Sequence, residues 1–239
     1  MTVALTWLGF GALVTVPMLA ICRLGASWKW FALGILSWVI AIIVKTLLQA
    51  AADAAVVSLP WSAQAAVSGL VSAATELGAA ACLLWRAKPR LPNILAFGAG
   101  IGAFEAIFVL LLGWLEGMDD PAVPGVRRFA FVGGLFLLER LLALVGHTAS
   151  RVLLYIGLAR RWPLAAFLAV GLFSCVDGVT MYGLLAEWDW EDASVKVRFN
   201  IFVAAVVCLE VAAAWWFSAR AAGWWQTAEP GAAPDTGRI

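Results

Sequence analysis

Histidine occurs once in this chain, at His147, so a metal centre built from several imidazoles is excluded. Cysteine is sparse and scattered: Cys22, Cys82, Cys175 and Cys208 show no CxxC spacing. That excludes a zinc ribbon or a dithiol redox pair and leaves them as small hydrophobes expected to be buried. Charge is scarce too, at 13% of residues with a net +1, and no run of basic residues occurs. Neither a nucleic-acid-binding surface nor a polybasic arm for anionic lipid fits that balance. No polar linker long enough to divide the chain is present, and nothing implies a cofactor or a bound metal.

What the chain has instead is apolar surface. It is 64% hydrophobic, with a mean hydropathy of +0.93. A soluble core of this length cannot hide so much apolar surface, and the chain needs lipid as its solvent. Seven stretches are long enough to cross a bilayer as helices, near 3–22, 30–50, 63–85, 91–115, 128–159, 163–185 and 198–222. The fold class expected is therefore all-α, a polytopic membrane bundle in one domain over 1–226, with a disordered tail over 227–239. The start lacks the basic region of a cleaved signal and reads as a retained first span. Prolines punctuate the connectors: Pro60, Pro92, Pro121, Pro124 and Pro163 stand before or at the starts of spans, where a missing N–H costs nothing.

The fifth stretch is long. At 1.5 Å per residue it runs roughly 48 Å against ~30 Å of hydrocarbon, so it either tilts and projects or breaks near Gly146. Lys and Arg in the short connectors set orientation. With the N-terminus outside, the inner face collects Arg23, Lys29, Arg86, Lys88, Arg90, Arg160, Arg161, Arg220 and Arg238, against Arg127, Arg128, Lys196 and Arg198 outside. The expected topology in the cell membrane is N-terminus out and C-terminus in. Ten tryptophans, Trp28, Trp30, Trp61, Trp85, Trp114, Trp162, Trp188, Trp190, Trp224 and Trp225, sit where an interfacial belt would hold them.

Within these apolar spans lie five carboxylates, Glu76, Glu105, Glu139, Asp177 and Glu210, and three fixed cations, Lys45, Arg140 and Arg151. Each ionisable group in hydrocarbon costs at least roughly 2.5–3.5 kcal/mol, so the set argues for a shared internal site. Helix rise puts Glu105, Glu139 and Asp177 roughly 12–17 Å deep and Glu76 and Glu210 roughly 18–20 Å deep, near one layer. Arg140, His147 and Arg151, seven and eleven apart, share one face of the fifth helix, and Glu139 and Ser150 form a stripe beside it. Interhelical ion pairs that merely hold the bundle are the plain alternative for any one of these residues. For the group it is weaker, because five acids against three cations leave two acids protonated, solvated or paired with a further cation. Gly98 and Gly102 form a GxxxG pair for close helix packing; a phosphate loop is excluded because no strand precedes it.

The ordered set of motifs resembles the YhfC-type family of intramembrane metalloproteases, related to the PrsW and type II CAAX-processing proteases. Thr75-Glu76 falls on that family's glutamate pair, Gly100, Gly102 and Glu105 on its glycine-rich GxGxxE, Glu139-Arg140 and His147 on its Glu-Arg and His, and Phe173 to Asp177 on its HxxxD. Lys45 also stands where the family tends to carry a lysine, and the resemblance covers about 30–180. It implies an intramembrane peptidase site made of Glu76, Glu105, Glu139, Arg140, His147 and Asp177. A glutamate, Glu76 or Glu105, would activate water, and His147 or Arg140 would stabilise the oxyanion. The chain departs from the pattern at Thr75, Ala79, Ala80, Ile101 and Phe173. One histidine plus carboxylates suits a hard metal and is poor for zinc. The departures favour a degenerate or inactive site over a working one. The competing readings are a scaffold subunit that packs on other membrane proteins, and a proton or anion transporter, the latter opposed by the lack of an internal repeat. The bilayer is the expected partner, with other membrane proteins under the scaffold reading.

Overall fold

The computed structural model describes residues 2–116, 125–190 and 192–221. Among them the chain forms seven α-helices and no strand: α1 (Thr2–Arg23), α2 (Trp28–Val56), α3 (Trp61–Ala87), α4 (Leu91–Glu116), α5 (Gly125–Ala159), α6 (Pro163–Leu185) and α7 (Ala193–Arg220). Six of these, α2 to α7, contain apolar stretches long enough to cross a membrane, and α1 adds a shorter apolar stretch over Val14–Arg23. The protein is a membrane-spanning helical bundle. The expected disorder of the tail, and the placement of Pro121, Pro124, Trp224 and Trp225, lie outside the described residues.

Local chemistry explains the helix ends. Gly25 takes φ +84° in the α1–α2 turn, a backbone that costs glycine nothing. Ser27 caps α2, accepting from Lys29 N at 3.4 Å, and its own N–H donates to Asn93 Oδ1 at 3.1 Å, which pins that turn to the start of α4. Pro163 occupies the first turn of α6. Asp192 caps α7 by accepting from Ser194 N at 2.6 Å. This backbone donor holds the Asp192 carboxyl below its ordinary range.

α4 is the central post, packed against α2 on one side and α5 on the other; α3 joins α2 to α6, and α7 closes on α5 and α6. Absent side chains make the approaches possible. Gly34 of α2 meets the Phe97 carbonyl of α4, and Gly100 of α4 meets the Phe31 carbonyl of α2, with no room for a Cβ at either. On the other side, a Cβ at Gly98 would stand 2.6 Å from Thr148 Cα, and Gly102 lies against Leu144 of α5. In lipid, where apolar helices gain little by hiding from water, such close packing holds a bundle together. Gly98, Gly100 and Gly102 are thus packing residues, and the alternation of the three sends the two faces of α4 to different neighbours.

α5 resolves the choice left open by its length. It runs unbroken for 35 residues through Gly146, about 52 Å at 1.5 Å per residue. Gly146 does not break the helix; it makes room for α7, since a Cβ there would lie 3.3 Å from both Val207 and the Glu210 carboxylate.

The apolar core occupies one end of the bundle, where Leu84, Ile94, Phe97, Ile101, Leu153 and Ile156 are completely buried. The exterior is apolar as well: Leu36, Ile40, Ile43 and Leu47 of α2 are all exposed at helical spacing, a face for lipid acyl chains. Two sequence expectations fail here. The four cysteines are exposed on the outside of the bundle rather than buried, because lipid, unlike water, exerts no force driving a small apolar thiol inward. The tryptophan belt is also incomplete: Trp28, Trp61 and Trp85 are exposed, but Trp162 packs on the core and Trp190 turns into an interior cavity.

Candidate functional site

A cavity of about 510 Å³ lies inside the other half of the bundle, within the usual size range for small-ligand sites. Six helices, α2 to α7, line it, and they carry Lys45, Glu76, Glu105, Glu139, Arg140, His147, Asp177 and Glu210 onto its wall. All six site residues expected from the sequence therefore meet at one place. The shared interior site follows from the register of the helices: α4 and α5 are antiparallel and locked by Gly98 and Gly102, which sets Glu105 opposite the Arg140–His147 stretch.

Two charge clusters form the wall. In the first, Lys45 of α2 donates to Ser72 Oγ at 2.6 Å, Glu76 Oε1 at 3.3 Å and Asp177 Oδ2 at 3.3 Å. Ser72 in turn bonds Asp177, and Glu76 Oε1 at 3.2 Å. In the second, Arg140 Nη1 donates to Glu105 Oε1 at 3.1 Å and Nη2 to Glu139, while His147 Nε2 bonds Glu105 Oε2. Arg151 links the two. It is wholly buried, donates to Glu76 Oε2 at 3.4 Å and to Ser150 Oγ at 2.9 Å, and His147 Nδ1 stands 4.0 Å from the same Glu76 oxygen. Exposure rises away from this link: the side chains of Arg151 and Glu76 are 0% and 4% exposed, those of Glu139 and Asp177 28% and 31%. The cavity thus opens toward the end that bears Leu184, Trp190 and Phe199, at the α6–α7 connection.

Thr75 and Phe173, flanking the site in sequence, serve packing and local bonding. Thr75 does not face the site; its hydroxyl bonds the Val71 and Ser72 carbonyls of its own helix, at 2.9 Å each. Phe173 packs at the cavity wall: its ring lies 5.4 Å from the His147 ring and 4.9 Å from the Arg151 guanidinium, a cation–π contact.

Glu76, Glu105 and His147 each offer one donor atom within a 4.8 Å group, the spacing of a candidate cation site. The donor set does not fit a catalytic metal. Both Glu105 oxygens accept from Arg140 and His147, and both Glu76 oxygens from Lys45, Ser72 and Arg151. His147 Nδ1 is the one donor of the three without a partner, while three fixed cations surround the place a dication would take. A catalytic metal needs about three ligands and an open position.

Ser72 escaped the sequence reading, although it touches Lys45, Glu76 and Asp177. Its signal was available: Ser72 precedes Glu76 by one helical turn. A serine beside a lysine suggests a nucleophile and base, but the three hydrogens of Lys45 already go to Ser72, Glu76 and Asp177, leaving it no lone pair to take a proton. Glu210, which the resemblance does not cover, lines the cavity at 2% exposure, and its Oε1 has no hydrogen-bond partner among the described residues. Searches against protein-family models, curated proteins and solved structures returned no match.

Proposed function

We propose that this membrane protein has the plan of a YhfC-type intramembrane peptidase but that its cavity binds rather than cleaves. One observation carries the reading: the carboxylates that would activate water, Glu76 and Glu105, have every oxygen taken by a donor from the protein itself. Any water would have to share an oxygen with one of these donors, or displace it, before either glutamate could take its proton. Thr75 and Phe173 stand where the family pattern puts a second glutamate and a second histidine, and neither offers a substitute. The chamber that remains is large, polar at its base and aromatic at its mouth, the plan of a ligand site. With the N-terminus outside, as the Lys and Arg of the connectors favour, the mouth faces outward. The bilayer surrounds the bundle, and a partner membrane protein would reach the chamber from that side.

The test is hydrolysis by the protein purified in lipid nanodiscs, using a quenched transmembrane peptide library with and without added zinc, manganese or magnesium. The expected result is no cleavage above that of Glu105→Gln. Cleavage that disappears in Glu105→Gln or His147→Ala would overturn the binding reading in favour of an active peptidase, with Glu105 and His147 positioning the water.

A further inference from the structure

The charges in and beneath the cavity do not balance. Four acids, Glu76, Glu105, Glu139 and Asp177, engage Lys45, Arg140, Arg151 and His147 through the contacts above. Glu210 is left over. It is 2% exposed, faces the cavity, and has no donor on Oε1; Arg151 attracts it only at longer range, without a hydrogen bond. Among the buried polar atoms without a partner, this carboxylate oxygen stands at the cavity wall, where a donor on a ligand can reach it. The other Glu210 oxygen, Oε2, lies against Gly146, where a Cβ would stand 3.3 Å from it, so the glycine admits the carboxylate to the wall and leaves Oε1 as the oxygen to be met.

From Glu210 an apolar track leads to the mouth. Val207, Val203 and Phe199 follow it along α7 at spacings of three, four and four, all on the cavity wall, with Trp190 beyond them. Eleven residues at 1.5 Å put Phe199 about 16 Å from Glu210 along the helix. A group that enters by this track must be apolar along its length and cationic, or at least a donor, at its tip.

We infer that the cavity takes an organic ammonium with an apolar body, its ammonium seated on Glu210 Oε1 and its body along the Val207–Val203–Phe199 track. This rests on the reading of the cavity as a binding chamber and names the ligand class. An ammonium supplies both the absent donor and one of the positive charges that five acids against three fixed cations lack. An anion would meet Glu210 unscreened, and a neutral donor would leave the charge uncorrected.

Hexylammonium, hexanol and hexanoate would be titrated calorimetrically into the full chain in nanodiscs, with empty nanodiscs subtracted. Hexylammonium is expected to bind at least about tenfold more tightly than hexanol, in keeping with a hydrogen bond to a charged group, and hexanoate not at all. Glu210→Gln should erase the preference, Glu210→Asp should keep it, and Val203→Trp should block the track for every probe. If Glu210→Gln does not fold, the Asp and Trp variants decide. Equal binding of hexylammonium and hexanol, no binding of any probe, or a preference that survives Glu210→Gln would overturn the assignment. Tight hexanol or hexanoate binding would sink it while sparing the binding chamber. The chamber reading itself falls by the separate test above, peptide cleavage that disappears in Glu105→Gln or His147→Ala.

Discussion

Arg140 and Glu105 are joined across α4 and α5, Nη1 to Oε1 at 3.1 Å, and Arg140 also reaches Glu139 on its own helix. The arginine is the only fixed cation in contact with either acid among the described ion pairs. Arg140→Leu should therefore leave Glu139 without its cation and Glu105 with His147 alone; breaking a fully buried pair costs roughly 3–5 kcal/mol, an upper bound for these part-buried groups. Melting in detergent should show a marked drop, with part recovered in Arg140→Leu/Glu105→Gln. Equal melting temperatures for wild type and Arg140→Leu would mean that water in the cavity solvates these acids without the arginine.

The glycines divide into two kinds. Gly34→Ala drives a Cβ onto the Phe97 carbonyl and should cost the α2–α4 contact, seen as loss of monodisperse protein on size exclusion. Gly171 has nothing within 4 Å of a new Cβ, so Gly171→Ala should be neutral or stabilise by up to about 1 kcal/mol through helix propensity. Comparable damage from both changes would refute packing as the role of Gly34.

Zinc gives a direct check on the donor set. Elemental analysis of protein purified without chelator should find well under one zinc per chain, because the oxygens of Glu76 and Glu105 are occupied by the protein's own donors. Stoichiometric zinc that vanishes in His147→Ala would require the ion pairs to open around a metal.

The α7 cap gives a pH dependence outside the membrane. The Asp192 carboxyl is depressed by the Ser194 backbone donor, so its contribution is present above the ordinary carboxylate range and lost as pH falls through the lowered value. Protection factors at Ser194 and Val195, taken relative to the intrinsic exchange rate at each pH, should fall on acidification in the wild type. Asp192→Asn, which still caps, should remove the carboxylate's part of that change; an unchanged acid response would assign it to other groups.

Hydropathy alone determined that this chain spans a membrane as helices, because a bilayer leaves the backbone of an apolar segment little choice but to bond to itself. Depth was legible too. Rise per residue is constant, so Glu76, Glu105, Glu139 and Asp177 could be set in one layer, and the spacing of Arg140, His147 and Arg151 put them on one face. Which acid meets which cation was not legible. That depends on the rotation and register of neighbouring helices, fixed by close approaches such as Gly34 on Phe97 and Gly98 on Thr148, between residues 63 and 50 positions apart. The same holds for Ser72, an ordinary small residue until α2 and α6 bring Lys45 and Asp177 to it, and for Gly146, which reads as a helix breaker until α7 lays Glu210 against it. The cysteines and Trp190 were misplaced for the matching reason. In lipid, apolarity no longer tells inside from outside, and only the packed structure decides which apolar face is buried.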